Sequence, residues 1–215
     1  MAEIDLLKSL PKTKRNIASR SEAKTSEHIR ISKQFGEMYF DGPREFGYGG
    51  YVYDGRWATV AQDIINHFGL KPGSRVLDVG CAKGFLVKEL FLLGIDTFGL
   101  DISEYALRKC EPEVIGRLHL GSADSLPFPD NSFDVTLSIN TLHNLPEKRL
   151  IRALQEITRV SPNASFVQVD SYLNETDKKV FESWVLTAEY HDYPANWIKL
   201  FEKAGYSGDW FWTKL

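Results

Sequence analysis

Two glycines and an acidic residue mark a loop that could hold a small ligand. Asp78 lies within an apolar stretch that predicts a buried strand, and Gly80 and Gly84 follow it before an apolar helix. Glycine lets a ligand lie against the main chain, because a Cβ would occupy that space. The start of the helix adds unpaired N–H groups and the positive end of the helix dipole. Asp78 is an acceptor that could orient the loop or meet the ammonium group of a ligand.

Carboxylates also follow the next two predicted strands. Asp101 comes a little over twenty residues after Asp78, and an acid at this place can accept hydrogen bonds from both hydroxyls of a ribose. Asp124 follows the third predicted strand. Each has an alternative structural role, since Asp101 could cap the helix that Ser103 begins and Asp124 could be a turn residue. The three acids in this order, together with the glycine loop, favour a nucleoside-binding site.

The glycine loop differs from the Gly-x-Gly-x-x-Gly pattern of dinucleotide-binding folds. Ala82 and Phe85 stand at the second and third glycine positions, and that pattern needs its second glycine to approach the pyrophosphate. The stretch instead resembles motif I of class I S-adenosylmethionine-dependent methyltransferases, whose usual form is an acidic residue, x, Gly, x, a variable position, x and Gly. The resemblance covers roughly residues 70–169, with a looser match beyond.

The resemblance implies S-adenosylmethionine as the cofactor. It implies that Asp101 binds the ribose, that Asp124 accepts a hydrogen bond from the adenine amino group, and that the backbone of Ser138 faces the methionyl part. Cys81 is interpreted as a small buried filler of the loop rather than a nucleophile. The residues assigned to the cofactor are Asp78, Gly80, Cys81, Ala82, Gly84, Phe85, Asp101, Ile102, Ser122, Ala123, Asp124 and Ser138.

Residues 46–57 interleave glycines with aromatic residues, a pattern that fits neither a helix nor a strand period. We expect this segment to be a lid over the crevice, with Tyr48 and Tyr51 near the cofactor, because aromatic faces suit the positive charge of a sulfonium. The alternative is a surface hairpin packed on the edge of the sheet. The predicted division of the chain is therefore an N-terminal helical arm with this lid, residues 1–57, and an S-adenosylmethionine-binding core, residues 58–215.

Two histidines are candidates for a general base on the acceptor side. His143 comes just past the fourth predicted strand, and an imidazole titrates near neutral pH, so it can accept a hydroxyl proton as the methyl group arrives. The alternative for His143 is a residue at a helix start that is bonded to the backbone. His191 lies in a second aromatic stretch that could line the acceptor pocket, or serve only in packing. No residue spacing indicates a metal site.

The elements that must position these residues alternate between strand and helix. The predicted strands are residues 75–79, 95–100, 114–120, 133–139 and 164–169, and the predicted helices are residues 59–68, 84–93, 103–110, 147–160 and 194–204. This alternation at crossover spacing predicts an α/β fold with a doubly wound, mostly parallel Rossmann-like sheet behind an N-terminal covering segment. The sheet should end either in one terminal strand within residues 206–215 or with an extra strand from residues 183–189.

Composition is that of an ordinary globular domain, with 43% hydrophobic and 26% charged residues. The net charge of −3 gives no overall attraction to nucleic acid or anionic lipid. The two cysteines make no disulfide framework, and no apolar stretch is long enough for a signal peptide or a membrane span. We therefore expect a cytoplasmic protein without a membrane partner. Nothing in the sequence indicates the oligomeric state.

The expected activity is methyl transfer to an oxygen or nitrogen of a small-molecule acceptor, such as a sugar-like or secondary-metabolite intermediate. No Asn/Asp-Pro-Pro-Tyr sequence follows the fourth strand and neither cysteine follows the fourth or fifth, which disfavours two kinds of methyltransferase that act on nucleic-acid bases. Nucleic acid is therefore not the expected partner. The alternatives are a protein or RNA methyltransferase guided by the basic N-terminal arm, and a cofactor-binding but inactive partner subunit.

Overall fold

The computed structural model describes residues 1–11, 21 and 24–213 of the chain. Its centre is a six-stranded sheet in the order β3-β2-β1-β4-β5-β6, in which every neighbouring pair is parallel. The strands are β1 Arg75–Val79, β2 Asp96–Asp101, β3 Leu118–Leu120, β4 Val135–Ile139, β5 Ser165–Asp170 and β6 Asp209–Thr213. The strand order reverses between β1 and β4, and ligands of such sheets bind outside the carboxyl ends of the strands at this point. The predicted doubly wound fold is confirmed.

Helices cover both faces of the sheet. They are α1 Ser26–Ser32, α2 Glu37–Phe40, α3 Trp57–Phe68, α4 Phe85–Leu92, α5 Glu104–Arg108, α6 Glu147–Val160, α7 Glu175–Trp184 and α8 Pro194–Ala204. Short 3₁₀ turns at Arg44–Phe46, Pro112–Val114 and Leu142–Asn144 complete the connections. No helix in the described part of the chain is long and apolar enough to cross a bilayer.

Alternate residues of β1 supply the two halves of the core. Val76 packs with α3 and α4 on one face, and Leu77 packs with α6 and α8 on the other. Successive side chains of a strand point to opposite faces, and a parallel sheet covered on both sides buries both sets. Leu150 and Leu154 of α6, one turn apart, are fully buried in the second half. The strands that end at the crevice are thereby packed on both faces of the sheet.

Several predicted boundaries differ from those observed. The third strand was expected over residues 114–120, but only Leu118–Leu120 pairs with β2, because the chain makes a 3₁₀ turn up to Val114 and then turns at Gly116 with φ +83°. The fourth strand begins at Val135 rather than at Phe133. Residues 183–189 form no strand, since Trp184 is the last residue of α7. The alternative of a single terminal strand is the one observed.

The first residues of the chain lie against the edge of the sheet. The amide of Ile4 donates to the Trp210 carbonyl at 2.9 Å, and the amide of Trp210 donates to the Ala2 carbonyl at 3.0 Å. Leu6 is buried against Val60 and Ile64 of α3. This part of the predicted helical arm is extended and then turns, whereas α1 is helical. Residues 12–20, 22 and 23, which carry much of the predicted basic surface, lie outside the described residues.

Candidate cofactor and acceptor site

The loop between β1 and α4 has an unusual backbone that is tied to the end of β2. Gly80, Ala82 and Gly84 have φ values of +87°, +51° and +76°. The amide of Gly80 donates to the Leu100 carbonyl at 2.7 Å, and the amide of Ala82 donates to Asp101 Oδ2 at 2.7 Å. The carboxylate that the sequence assigns to ribose binding is thus anchored to the glycine loop.

Residue 80 must be glycine for two reasons, its backbone conformation and the position of a neighbouring side chain. A Cβ added to Gly80 would overlap the side chain of Thr141, which follows β4. The space that we expected a ligand to use at this position is therefore taken by Thr141. Gly80 nevertheless lines the crevice with its main chain.

Asp78 is a buried carboxylate without a compensating charge among the residues that the structure describes. Its exposed fraction is 5%, and no described residue donates a hydrogen bond to its side chain or forms an ion pair with it. Burial, and then the negative charge of Asp101, raise the pKa of Asp78 to about 7. An isolated buried charge is costly unless a partner neutralises it. The ammonium group of a methionyl ligand is a partner of the right charge, so Asp78 fits the predicted cofactor.

Asp101 retains free acceptor capacity. Its Oδ2 accepts from Ala82 and its Oδ1 accepts from the amide of Ser103 at 2.8 Å. An ionised carboxylate has about four lone-pair positions, so this carboxylate can still accept from two hydroxyls. Burial raises its pKa, against the opposing effect of these backbone hydrogen bonds. The adjacent Ile102 is 54% exposed and presents an apolar side chain to the same crevice.

Asp124 is held quite differently from Asp101. Two nitrogens of Arg149 lie 2.8 Å from its two oxygens, Arg152 Nη2 lies at 2.9 Å, and the Ser122 hydroxyl donates at 2.5 Å. The hydrogen bond from Arg149 keeps the pKa of Asp124 well below its usual range. All four lone-pair positions are occupied. The predicted hydrogen bond from an adenine amino group would have to replace one of these donors.

The crevice consists of two cavities that meet above Gly80. The smaller, about 530 Å³, is lined by Asp101, Ile102 and Ser122 together with Ala123. The larger, about 1030 Å³, is lined by Asp78, Cys81 and Phe85 and extends to β5. Gly80, Ala82 and Tyr48 line both cavities. Most residues assigned to the cofactor from sequence thus line these cavities at the strand ends, but Gly84, Asp124 and Ser138 line neither.

Two of the assigned residues are buried: Ser138 lies in neither cavity wall, and Cys81 lines the larger cavity. The Ser138 hydroxyl donates to the Val79 carbonyl at 3.0 Å, which ties the end of β4 to the end of β1. Burial raises the pKa of the Cys81 thiol well above its usual value. A protonated, buried thiol is a poor nucleophile.

The aromatic segment lies on the cofactor loop. The ring of Tyr51 stacks on Phe85 with centroids 4.7 Å apart and planes 15° apart, and Tyr48 contacts Tyr51 at 4.5 Å. Phe40 of α2 packs against both tyrosines. Tyr48 and Tyr51 therefore line the crevice beside the loop, and their role as a lid stays a prediction.

Lys83 of the loop between β1 and α4 contacts the N-terminal covering segment, and this contact was not predicted from the sequence. Its Nζ lies 2.7 Å from each oxygen of Asp41 and 2.8 Å from the Tyr51 carbonyl. Asp41 also accepts from the Tyr51 amide at 3.1 Å and from the Tyr105 hydroxyl at 2.7 Å. Lys83 is only 7% exposed. Because its partner lies 42 residues away along the chain, no local pattern could have revealed the pair.

His143 reaches the larger cavity, but its ring is bound to a neighbour. Its Nδ1 accepts from the amide of Asp170 at 3.2 Å, and its Nε2 lies 3.5 Å from Asp170 Oδ2. Its carbonyl accepts from the amides of Glu189 and Tyr190. Asp170 itself, the last residue of β5, also lines the cavity. Sequence reasoning did not select Asp170, although its position at a strand end is the same signal that selected Asp101.

His191 lies in an aromatic cluster, directly after a residue whose amide donates to the His143 carbonyl. Its ring is 5.0 Å from Phe181 and 5.9 Å from Tyr172, and its Nδ1 is 3.4 Å from the Tyr172 hydroxyl. Burial lowers its pKa. It is not among the described residues that line either of these two cavities, whereas His143 lines the larger one.

A family model described as a methyltransferase domain matches residues 77–167. The mouse protein named Probable tRNA methyltransferase 9B is 34% identical over 130 residues, which are 59% of this chain and 27% of that protein. The 2-methyl-6-phytyl-1,4-hydroquinone methyltransferase of Synechocystis is 26% identical over 174 residues, which are 70% of this chain and 53% of that protein. The chain thus spans about half or less of the length of these curated relatives.

Two solved structures share the fold. The YcgJ protein of Bacillus subtilis superposes with a TM-score of 0.53 at 20% identity, over 67% of this chain and 66% of its own. A SAM-dependent methyltransferase of Methanosarcina mazei superposes with a TM-score of 0.53 at 23% identity, over 66% of this chain and 82% of its own.

Proposed function

We propose that the chain methylates an oxygen or nitrogen of a small-molecule acceptor with S-adenosylmethionine as the methyl donor, because a methyltransferase-domain model matches residues 77–167. The observation that carries the proposal is the unpaired carboxylate of Asp78 beside the anchored carboxylate of Asp101. The first lacks a cation, and the second has free acceptor positions. A nucleoside with an amino-acid tail supplies the missing cation and two hydroxyls at once.

The cofactor, when bound, supplies a methyl group activated by a sulfonium. In the proposed arrangement Asp78 binds the ammonium group, Asp101 binds the ribose, and Ile102 packs against the adenine. Tyr48 and Tyr51 cover the middle of the crevice, where aromatic faces attract a positive sulfur and exclude water. The chain contributes position and a dry environment, which are the main requirements of a displacement at a methyl carbon.

A small acceptor is favoured by the walls of the larger cavity. Leu7 and Leu10 from the N-terminal residues, Trp57 from α3 and Leu186 after α7 all line it. A concave site lined by apolar side chains from several parts of the chain suits a compact ligand, because such sites bury most of a small ligand's surface. The Synechocystis relative is named for a phytyl-substituted hydroquinone, which supports a small molecule rather than a macromolecule as the acceptor.

An RNA acceptor is the second candidate, favoured by the name of the mouse relative. The net charge of −3 disfavours it, because RNA binding relies on positive surface that neutralises phosphates. A catalytically inactive cofactor-binding subunit is the third candidate.

Calorimetry with S-adenosylhomocysteine and NAD, followed by transfer of labelled methyl groups, tests these functions. We expect binding of S-adenosylhomocysteine but not NAD, and label incorporated into compounds of a small-molecule panel. Incorporation into total tRNA, with strong salt dependence, would support the RNA alternative. Tight binding without any transfer would support the inactive subunit. Absence of S-adenosylhomocysteine binding would refute all three.

A further inference from the structure

We propose that Asp170 accepts the proton that an acceptor hydroxyl or amine loses on methylation, and that His143 positions Asp170 for this step. The inference rests on the proposed methyl-transfer function and narrows its acceptor to compounds with an O–H or N–H at the reacting atom. It assigns a catalytic role to a residue that the sequence did not select.

The order of strands places Asp170 on the acceptor side of the crevice. The residues fitted to the cofactor lie at the ends of β3, β2 and β1, in that order along the sheet. The next strand ends, β4 and β5, line the part of the larger cavity that remains. Strands are spaced by about 4.8 Å, so the end of β5 lies about 10 Å from the end of β1. Asp170 is thus two strands away from the position proposed for the methionyl part of the cofactor.

The ring of His143 has no free lone pair for an acceptor proton. A neutral imidazole has one acceptor nitrogen and one N–H donor. Nδ1 is the acceptor here, because the Asp170 amide donates to it at 3.2 Å. Nε2 therefore carries the hydrogen and faces Asp170 Oδ2 at 3.5 Å. We therefore assign to Asp170 the proton-accepting role that was predicted for His143.

Asp170 has the free oxygen that His143 lacks. Within the part of the chain that the structure describes, nothing donates to its Oδ1, while its backbone carbonyl accepts from Trp197 Nε1 at 3.2 Å. Two cations of the same cavity are already engaged, since Arg56 pairs with Asp54 and Arg44 donates to the Gly47 and Tyr48 carbonyls. A donor group of the acceptor is the natural partner for this oxygen.

The proposed step forms one bond to the methyl carbon and breaks another. An electron pair on the acceptor oxygen or nitrogen forms the bond to the methyl carbon, and the pair of the methyl–sulfur bond stays on sulfur. The proton of the acceptor O–H or N–H moves to Asp170 Oδ1, and Asp170 then releases it to water. The products are the methylated acceptor, S-adenosylhomocysteine and one proton. No oxidant or metal takes part in this balance.

The first test compares Asp170→Asn with the wild type, using labelled S-adenosylmethionine and a panel of phenols, sugar alcohols and amines. We expect the transfer rate to fall by about 10²–10⁴-fold, the usual contribution of a general base, with unchanged affinity for S-adenosylhomocysteine. Asp130→Asn, which removes an exposed carboxylate (69% exposed), is the matched control and should transfer at the wild-type rate. Full activity of Asp170→Asn overturns the inference and leaves the methyltransferase function standing. A wild-type protein that binds S-adenosylhomocysteine but methylates nothing on the panel overturns both.

The second test examines the positioning role of His143. His143→Gln keeps a side-chain N–H that can reach Asp170, whereas His143→Leu removes it. We expect His143→Leu to lower kcat by about tenfold with little change in KM, and His143→Gln to restore most of the loss. Two-bond ¹H–¹⁵N correlation spectra of the full chain should show His143 with its hydrogen on Nε2. A hydrogen on Nδ1, or equal kcat for Leu and Gln variants, contradicts the positioning role.

Discussion

The affinity for S-adenosylhomocysteine should depend on pH through Asp78. Burial and the charge of Asp101 raise the pKa of this carboxyl to about 7, and only its ionised form can pair with the ammonium group of the ligand. With that pKa, about nine tenths of Asp78 is ionised near pH 8 and about one tenth near pH 6. Acidification over this range should therefore weaken binding about tenfold, which is about 1.4 kcal/mol.

The assay is the dissociation constant for S-adenosylhomocysteine, measured at several pH values between about 6 and 8 on the wild type and on Asp78→Asn. The variant keeps the size of the side chain but cannot ionise. The variant should bind S-adenosylhomocysteine more weakly at high pH. Its affinity should not change with pH through the ionisation of residue 78. Asp124→Asn serves as a control, because the pKa of Asp124 is held far below the range tested; the wild-type slope should persist in it.

Two results would refute the reasoning about Asp78. One is a wild-type affinity that does not change between the two pH limits, since the buried carboxylate would then not be the partner of the ammonium group. The other is the same slope in the wild type and in Asp78→Asn, which would place the titrating group elsewhere in the crevice.

Three further variants test other contacts of the site. Asp101→Asn should weaken S-adenosylhomocysteine binding by about 10–100-fold in calorimetry, because hydrogen bonds to a charged group are worth about 1.5–3 kcal/mol; unchanged uptake would remove the ribose assignment. Lys83→Met leaves the carboxylate of Asp41 without its cation and should destabilise the fold by about 1–3 kcal/mol, seen as a lower Tm, and a Tm equal to that of the wild type would show that the pair is unimportant. Gly80→Ala should lower the Tm more than Gly73→Ala, because both have positive φ but a Cβ finds open space only at Gly73; equal losses would mean that backbone conformation alone requires Gly80.

The crevice combines two kinds of carboxylate. Asp101 and Asp124 are already bonded to backbone or arginine, so their positions are set before any ligand arrives. Asp78 and Asp170 keep unpartnered oxygens among the described residues. Preorganised groups reduce the entropy cost of binding, while unpaired ones supply the electrostatic gain. In the proposed arrangement these unpaired oxygens meet groups that the ligands bring, namely the ammonium group of the cofactor at Asp78 and the acceptor at Asp170.

Local sequence was enough to predict the sheet and the cofactor half of the crevice. The strands were predicted from short apolar runs bounded by glycine, and one helix was predicted from the helical spacing of apolar residues in 147–160. Both patterns lie within a few neighbouring residues. Parallel strands bring their carboxyl ends to one edge, so Asp78 and Asp101 could be placed together without knowing the coordinates. The boundaries of β3 and β4 were less accurate, because pairing with a neighbouring strand decides where a strand begins.

The tertiary structure alone decided which side chains hold the site residues. Lys83 with Asp41, Arg149 with Asp124, and His143 with Asp170 join residues 42, 25 and 27 positions apart. Such pairs form because packed helices and loops bring distant segments within about 3 Å of each other. No periodic pattern in the sequence indicates which segments will meet. The composition of the glycine loop therefore predicts that a nucleoside can bind, whereas the partners of each carboxylate, and thus its charge and its role, follow only from the folded arrangement.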